Sequence, residues 1–508
     1  MADNLSAEWS EREKLRERGQ FWTPIWIARA MVAYVKQGSD LIFDPAAGKG
    51  VFYSALKELD GEEHGRMKYY GLELDPKIIA EANQERIFDP ASCRIEIRDF
   101  ITAPPQESFQ AIVANPPYIR HHRLSPKMKE KFRMISKLAL GRTLDGRAGL
   151  HVCFLIQALR HLQEGGRLAF IMPADTVEGV FAKPLWNWIT ANYRLEAVVT
   201  FAEGASPFPG VDTNPLIFLI RNRPPKATFC WARVFDPEPD SLMLLVTNGF
   251  AKSEAHSLKA QERNLREALK TGLSRPPQTG IEFEYHLSDF ARVMRGIATG
   301  ANEFFFLTHA QAQTMSLPKE LLVPAIGRTR DVNGDTITKE TLEALERKGR
   351  PTLLFSPTGK KFADFPASVQ AYLRQGEELK LNERPLISLR QPWYKMETRV
   401  PPAFLFAYLG RRNARFIRNE AKVIPLTCLL CVYPHSQDPN SLDRLWNLLS
   451  HPAVIENLKL VGKSYGSGAI KVEPRSLEKL PLPKNLVEDS GLIKESPKNK
   501  SLFLFSQI

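Results

Sequence analysis

The chain has 508 residues, 43% of them hydrophobic, enough for two domains with real cores and a third small unit. A formal net charge of +12 suits a polyanionic partner. There is no signal peptide and no apolar run of spanning length, which leads us to expect a cytoplasmic protein with no membrane association. The five cysteines, Cys93, Cys153, Cys230, Cys428 and Cys431, lie mostly in apolar runs and read as reduced core residues. Cys428 and Cys431 have metal-like spacing but no second ligand pair nearby, so no metal is expected.

In chain order, Thr23-Pro24 predicts the start of a helix running to about Lys36, with Thr23 as N-cap and Pro24 at the first helical position. Such an end can hold a ligand carboxylate, although capping alone accounts for Thr-Pro. Residues 40–52 read as a buried strand, a small-residue turn (Pro45, Ala46, Ala47, Gly48, Gly50) and a helix through Leu56. Gly48 and Gly50 allow close approach of a ligand to the backbone, and Asp44 stands at the strand end where it can meet an ammonium or hydroxyls. The third glycine of the dinucleotide fingerprint is missing. A second strand, Tyr69 to Leu74, carries Glu73, a carboxylate able to take both hydroxyls of a ribose. A third, Cys93 to Arg98, ends in Asp99-Phe100, an acceptor for an adenine amine beside an apolar wall. Any one of these acids alone reads equally as a solvated strand end. Three in succession point to a nucleoside site at the carboxyl ends of a doubly wound sheet.

The strand Ala111 to Ala114 runs straight into Asn115-Pro116-Pro117-Tyr118. Two prolines fix φ and remove two donors, so neighbouring carbonyls are held rigid. By itself the tetrapeptide reads two ways. It is a turn, or it is a site where Asn115 and a main-chain carbonyl accept the protons of an NH2 group while Tyr118 stacks on the ring that bears it. A basic segment follows, with Arg120, Arg123 and Lys127 to Lys131; its histidines, His121 and His122, lack a matching ligand set for a metal.

The catalytic domain is expected to span 1–221, because the Pro-rich segment after Arg221 breaks the strand pattern. A connector over 222–283 follows, with a charged helix predicted over 251–271. Residues 284–483 form a further segment of about two hundred residues, and 484–508 form a polar, charged tail. In the segment 284–483, Arg390, Trp393, Arg411 and Arg415 interleave guanidinium and aromatic groups, which by themselves read first as a solvated face. That pairing also suits phosphate clamping, bidentate contact with guanine and base stacking.

Taken together, the chain resembles the DNA amino-methyltransferases of bacterial restriction-modification systems, in the gamma permutation and the N6-adenine branch. The matching segments run from Thr23-Pro24 through Asp44 to Phe52, Gly71 to Pro76, Asp99-Phe100, Asn115 to Tyr118, Ala148 to His151, Leu168 to Pro173, and Phe208-Pro209. The turn opening at Arg295-Gly296 resembles the start of the target-recognition domain in that family. The resemblance implies an α/β fold, a Rossmann-like S-adenosylmethionine-dependent core followed by a mixed α/β target-recognition domain. It implies S-adenosylmethionine as donor, with Thr23 near its carboxylate, Asp44 and the glycine turn (Pro45, Ala46, Gly48, Gly50) near its methionine part, Glu73 on the ribose and Asp99 and Phe100 at the adenine. It further implies that Asn115 and the Pro116 carbonyl grip the target amine, that Tyr118 stacks on the flipped base, and that Phe208 packs on the other side.

The donor's methyl carbon is already electrophilic, so alignment supplies much of the barrier reduction, roughly 7 to 11 kcal/mol in favourable systems, without a strong base or metal. No Pro-Cys pair exists to serve a cytosine C5 mechanism. Other amine acceptors stay open at this point: a protein glutamine, an RNA base, or N4 of cytosine. The donor turn begins near residue 40, which leads us to expect modification without cleavage, by a monomer acting on double-stranded DNA alongside a separately encoded endonuclease.

Overall fold

A computed structural model describes residues 21–60, 67–208, 214–277, 283–407, 414–464 and 470–494. It separates into two compact units, 1–279 and 280–508.

The first unit carries, in order, α1 (Ile25–Val35), β1 (Leu41–Asp44), α2 (Val51–Asp60), β2 (Lys68–Glu73), α3 (Pro76–Gln84), β3 (Cys93–Ile97), β4 (Phe109–Ala114), α4 (Pro126–Leu140), α5 (Leu150–Arg160), β5 (Leu162–Pro173), α6 (Asp175–Glu178), α7 (Ala182–Asn192), β6 (Arg194–Phe201), β7 (Pro215–Arg221), β8 (Thr228–Val234), α8 (Pro239–Thr247), β9 (Ser253–Glu254), β10 (Leu258–Asn264) and α9 (Leu265–Thr271). The strands form one sheet in the order β3-β2-β1-β4-β5-β7-β6-β8-β10-β9. From β3 to β5 all pairs are parallel, and β7 enters antiparallel to both β5 and β6. Alternate residues of one strand feed two cores on opposite faces of the sheet. Ile112 and Ala114 join Phe43 and Phe100 in one, while Ala111 and Val113 join Ile42 and the inner face of α1 in the other. A strand buried on both faces reads as an unbroken apolar run, which is why β4 shows no polar alternation in its last four residues. The direction of crossover reverses between β1 and β4, so a crevice opens at their carboxyl ends, where Asp44 and Asn115 stand.

Two expected boundaries need correction. The connector expected over 222–283 is not separate: β8 pairs in parallel with β6, and β10 and β9 extend the same sheet, so the unit runs to residue 279. The helix expected over 251–271 is a strand for half its length. Leu258 and Ala260 alternate inward on β10, and only Leu265–Thr271 is helical. The charge density there is misleading because Arg263 is buried: its guanidinium binds Glu267 at 2.9 and 3.1 Å and the Thr271 hydroxyl at 2.6 Å, tying β10 to α9.

In the second unit, a five-stranded sheet orders Ala291–Arg295, Leu429–Pro434, Phe404–Ala407, Arg415–Asn419 and Thr336–Ile337, and a four-stranded one is built on Leu322–Ile326. Gly296 lies against backbone: a Cβ there would stand 2.1 Å from the Leu426 carbonyl oxygen, so the small residue expected at this turn is required. The expected tail also starts too early, because Lys484–Ser490 is a helix with Val487 buried in the core; residues 495–508 lie outside the described residues.

Candidate active site

The donor side is built on the turn after β1. Asp44 is fully buried; its carboxylate accepts from the Ala46 amide at 2.9 Å and from the Tyr69 hydroxyl at 2.6 Å. Burial pushes its pKa up to about 7 against the pull of those two donors. Both oxygens therefore hold the turn, and the direct ligand contact expected of Asp44 is corrected to a supporting role. Beyond Pro45 and Ala46, Ala47 donates to the Leu72 carbonyl at 2.8 Å, and Gly48 (φ +55) and Gly50 (φ +80) are left-handed. A Cβ on Gly50 would also stand 2.5 Å from the Phe88 ring. Lys49 between them turns outward to Glu81 at 3.0 Å.

Glu73 accepts from the Gly48 amide at 2.9 Å and from the amides of Leu74 and Asp75 at 2.8 and 2.9 Å, so it clamps the glycine turn to the end of β2. Asp99 caps its own turn, taking the Ile101 amide and the Thr102 hydroxyl, each at 2.8 Å. Phe100 is 1% exposed and packs on Phe43 and Phe154, so its ring belongs to the core and not to an adenine wall. Apolar surface is present at this edge from residues the sequence did not single out: Leu74, Ile97 and Trp22 are exposed at 66%, 60% and 47%. Left-handed glycines, carboxylates at three successive strand ends and unburied apolar side chains beside them fit a nucleoside-bearing donor.

On the acceptor side, the predicted N-cap is displaced by one residue. Pro24 caps α1 with no side-chain bond, and the buried Thr23 hydroxyl instead accepts from Asn115 Nδ2 at 3.1 Å. The same nitrogen donates to the Phe21 carbonyl at 2.7 Å. That carbonyl can only accept, which fixes the amide orientation and leaves Asn115 Oδ1 aimed elsewhere. Asn115 Oδ1 is buried and has no hydrogen-bond partner among the described residues.

Pro116 is buried and Pro117 half-buried, and together they lead into Tyr118. The Tyr118 hydroxyl donates to the Ile171 carbonyl at 3.1 Å on β5, and burial, followed by the charge of Asp175, holds its pKa well above the ordinary value. Its ring meets Phe21 at 5.1 Å, His151 at 6.0 Å and Phe208 at 6.3 Å. The Phe208 ring stands at 75° to Tyr118 and packs on Phe21, so the two rings do not form the parallel slot expected for a base. Phe21 is the residue on the acceptor side that sequence reading missed. Its only signal was an aromatic pair immediately before Thr23-Pro24. Arg120 and Arg123 are exposed around the short turn His121–Arg123 that follows Tyr118.

The second unit corrects three expected DNA contacts. Arg390 donates to the carbonyls of Ala298 and Thr299 at 2.7 and 2.9 Å and stacks over Phe305, stapling the turn after Gly296. Trp393 packs against Phe304 and closes over Gly376, with its indole donating to Glu377 at 3.1 Å. Arg415 donates to the Gly334 and Val332 carbonyls and pairs with Asp335 at 3.2 Å. Each is engaged in holding its own unit, since arginine and aromatic residues in a short run serve a core edge as readily as a base. Arg411 lies outside the described residues. Burial pushes the thiols of Cys428 and Cys431 up to about 12 and about 11, as expected of core cysteines.

Two family models match the chain. Residues 8–234 match N-6 DNA Methylase, and residues 280–502 match the C-terminal domain of the type II methyltransferase M.Eco57I. Over residues 8–234 the chain is thus similar to the N-6 DNA methylase family. It is an S-adenosylmethionine-dependent DNA N6-methyltransferase of the restriction-modification type. Relatives include the type II methyltransferase M.AccI of Acinetobacter calcoaceticus, 25% identical over 99% of this chain and 92% of that protein. Another is M.XamI of Xanthomonas campestris pv. amaranthicola, 24% identical over 92% and 85%. Among solved structures, the type IIL restriction-modification enzyme MmeI in complex with DNA has a TM-score of 0.54 at 13% identity, covering 98% of this chain and 67% of that one, a likeness of fold. The chain spans 61% of the longer type IIG restriction endonuclease BpuSI.

Proposed function

We propose that this methyltransferase acts on the N6 amine of an adenine flipped out of duplex DNA, at a specific site, as the modification half of a restriction-modification system. The observation that carries this reading is the unpartnered, buried Asn115 Oδ1. A buried acceptor without a donor costs about 1–3 kcal/mol, which an incoming N–H relieves. The target amine donates one proton to Asn115 Oδ1 and the other to the Pro116 carbonyl, and the nitrogen lone pair is left free to attack. Tyr118 stacks on the base, with its ring plane set by the bond to the Ile171 carbonyl and by Phe21. Base entry moves Phe208 out of its edge-on contact with Tyr118. S-Adenosylmethionine, when bound, supplies the electrophilic methyl group. Glu73, Asp99 and the Gly48 to Gly50 turn hold the donor's nucleoside and methionine parts, Pro45 and Ala46 shape that turn, and Thr23 positions Asn115 beside the donor's carboxylate end. The methylated amine sheds its extra proton to water after attack, so the chain's own residues bind and align.

The second unit, residues 284–483 of it above all, reads the DNA sequence, and Arg120 and Arg123 contact the strand around the flipped base. The protein works as a monomer in the cytoplasm, where a separately encoded endonuclease shares its site. No helix among the described residues is long and apolar enough to cross a membrane. Transfer of labelled methyl to duplex DNA, measured beside RNA and a protein glutamine acceptor, tests the reading; label in RNA or protein and none in DNA would overturn it.

A further inference from the structure

Three arginines stand side by side on adjacent strands of the catalytic unit. In the register of the sheet Arg167 of β5 is directly opposite Arg221 of β7, and Arg221 is directly opposite Arg194 of β6. Directly opposed like charges destabilise a sheet, so a row of three is not a neutral choice of surface residues. They line a cavity of about 420 Å³ between the end of α1 and the strands. Lys226 and Lys252 add to the same wall, against which stand the carboxylates of Glu196 and Glu262, an excess of three positive charges.

Lys252 pairs with Glu254 at 3.1 Å, which reduces the excess to two, and the other internal partners do not neutralise it. Glu196 is taken by the Tyr34 hydroxyl at 2.8 Å and reaches Arg221 only at 4.0 Å. Glu262 accepts from Thr228 at 2.6 Å. Arg221 and Arg194 spend their Nε donors on the Gly165 and Pro224 carbonyls, bonds that hold the guanidinium groups in place without adding negative charge. Arg167 donates from a terminal nitrogen to the Gln37 carbonyl, while its buried Nε has no hydrogen-bond partner among the described residues. Burial, and next the charge of Arg167, push the Arg221 guanidinium below its usual value. The cavity is remote from methyl transfer: Arg167 precedes Pro173, the last residue of β5, by six residues, about 20 Å along a strand.

We propose that the row Arg167, Arg221 and Arg194 is a binding site for a phosphate-class anion, either a free polyphosphate or the phosphodiester backbone of DNA. Guanidinium forks match phosphate oxygens bidentately, and adjacent strands set them about 5 Å apart, the spacing of a group with several charged oxygens. The anion removes the like-charge repulsion that the sheet otherwise carries.

Inorganic pyrophosphate is the probe, titrated into the full chain by calorimetry at constant ionic strength, with chloride as control. Wild type binds it and its melting temperature rises; Arg194→Gln, at the half-exposed start of β6, binds at least about tenfold more weakly. Without the anion, Arg194→Gln and Arg221→Gln melt at or above the wild-type temperature, because each relieves repulsion. A short duplex lacking any methylation site is then added: displacement of pyrophosphate assigns the site to backbone phosphate, and no displacement assigns it to a free polyphosphate. The proposal is overturned if pyrophosphate binds no better than chloride, if Arg194→Gln binds it as well as wild type, or if both variants melt below wild type in the absence of the anion.

Discussion

Substituting Asn115 perturbs one atom whose environment is unusually well defined. Asn115→Ala removes the unpartnered Oδ1 and also the two hydrogen bonds from Nδ2 to Phe21 and Thr23. The first loss falls on the chemical step. An oriented group that acts on the reacting centre contributes about 2.7–4 kcal/mol, so the rate of transfer falls by about two to three orders of magnitude. The second loss falls on stability, by about 1–3 kcal/mol, because the Phe21 carbonyl is left without its donor. Asn115→Asp separates shape from polarity: it keeps the acceptor but sets a carboxylate oxygen against the Phe21 carbonyl, so the acceptor swings away and the same catalytic loss is expected. The assay is single-turnover transfer of labelled methyl into duplex DNA at saturating donor, beside calorimetry of donor binding, which stays near wild type because the donor turn is held by Asp44 and Glu73. A chemical step within about threefold of wild type in Asn115→Ala would refute the reasoning.

Asp44 gives a pH prediction. Its folded pKa is about 7 against an ordinary 3.8, so the folded state holds the proton more tightly. Its contribution to stability is greatest below about pH 4 and is lost as pH rises to about 7, by up to about 4 kcal/mol. Denaturation of Asp44→Asn across that range, beside wild type, is expected to lack this loss; parallel profiles would contradict it. Phe208→Ala removes a ring packed on Phe21 and Tyr118, and it is expected to cost about 3 kcal/mol in denaturant melts and to raise KM for DNA while donor affinity is unchanged. Arg415→Ala breaks the contacts with Val332, Gly334 and Asp335, so the second unit is expected to melt earlier. A melt equal to wild type with weaker DNA binding would restore Arg415 to the DNA-contacting role expected from sequence.

The catalytic half was legible because β1, β2 and β4 are buried on both faces through most of their length, so Asp44, Glu73 and Asn115 stand out at the ends of apolar runs. The edge strand β3, with Arg94 and Glu96 in its middle, marks Asp99 only by its place after the strand. What a side chain does once it reaches the strand end was not legible. Phe100 turned into the core and Asp44 was consumed by Tyr69 and Ala46, because local sequence does not say which face of a turn is open. The pairing of Asn115 with Phe21 and Thr23 joins residues more than ninety positions apart, a contact that only tertiary structure supplies. In the second unit, Arg390 and Arg415 were read as DNA contacts for the same reason that the segment holding Arg263 was read as a charged helix. A guanidinium that satisfies several main-chain carbonyls is compatible with burial, and nothing in a charge pattern separates it from one that faces solvent.

The most direct test is to let the protein methylate mixed-sequence duplex DNA with labelled S-adenosylmethionine, digest the product to nucleosides and separate them. The account predicts that the label elutes entirely as N6-methyldeoxyadenosine, and that it disappears with Asn115→Ala. Label in N4-methyldeoxycytidine, with none in N6-methyldeoxyadenosine, would contradict the assignment of the amine held by Asn115.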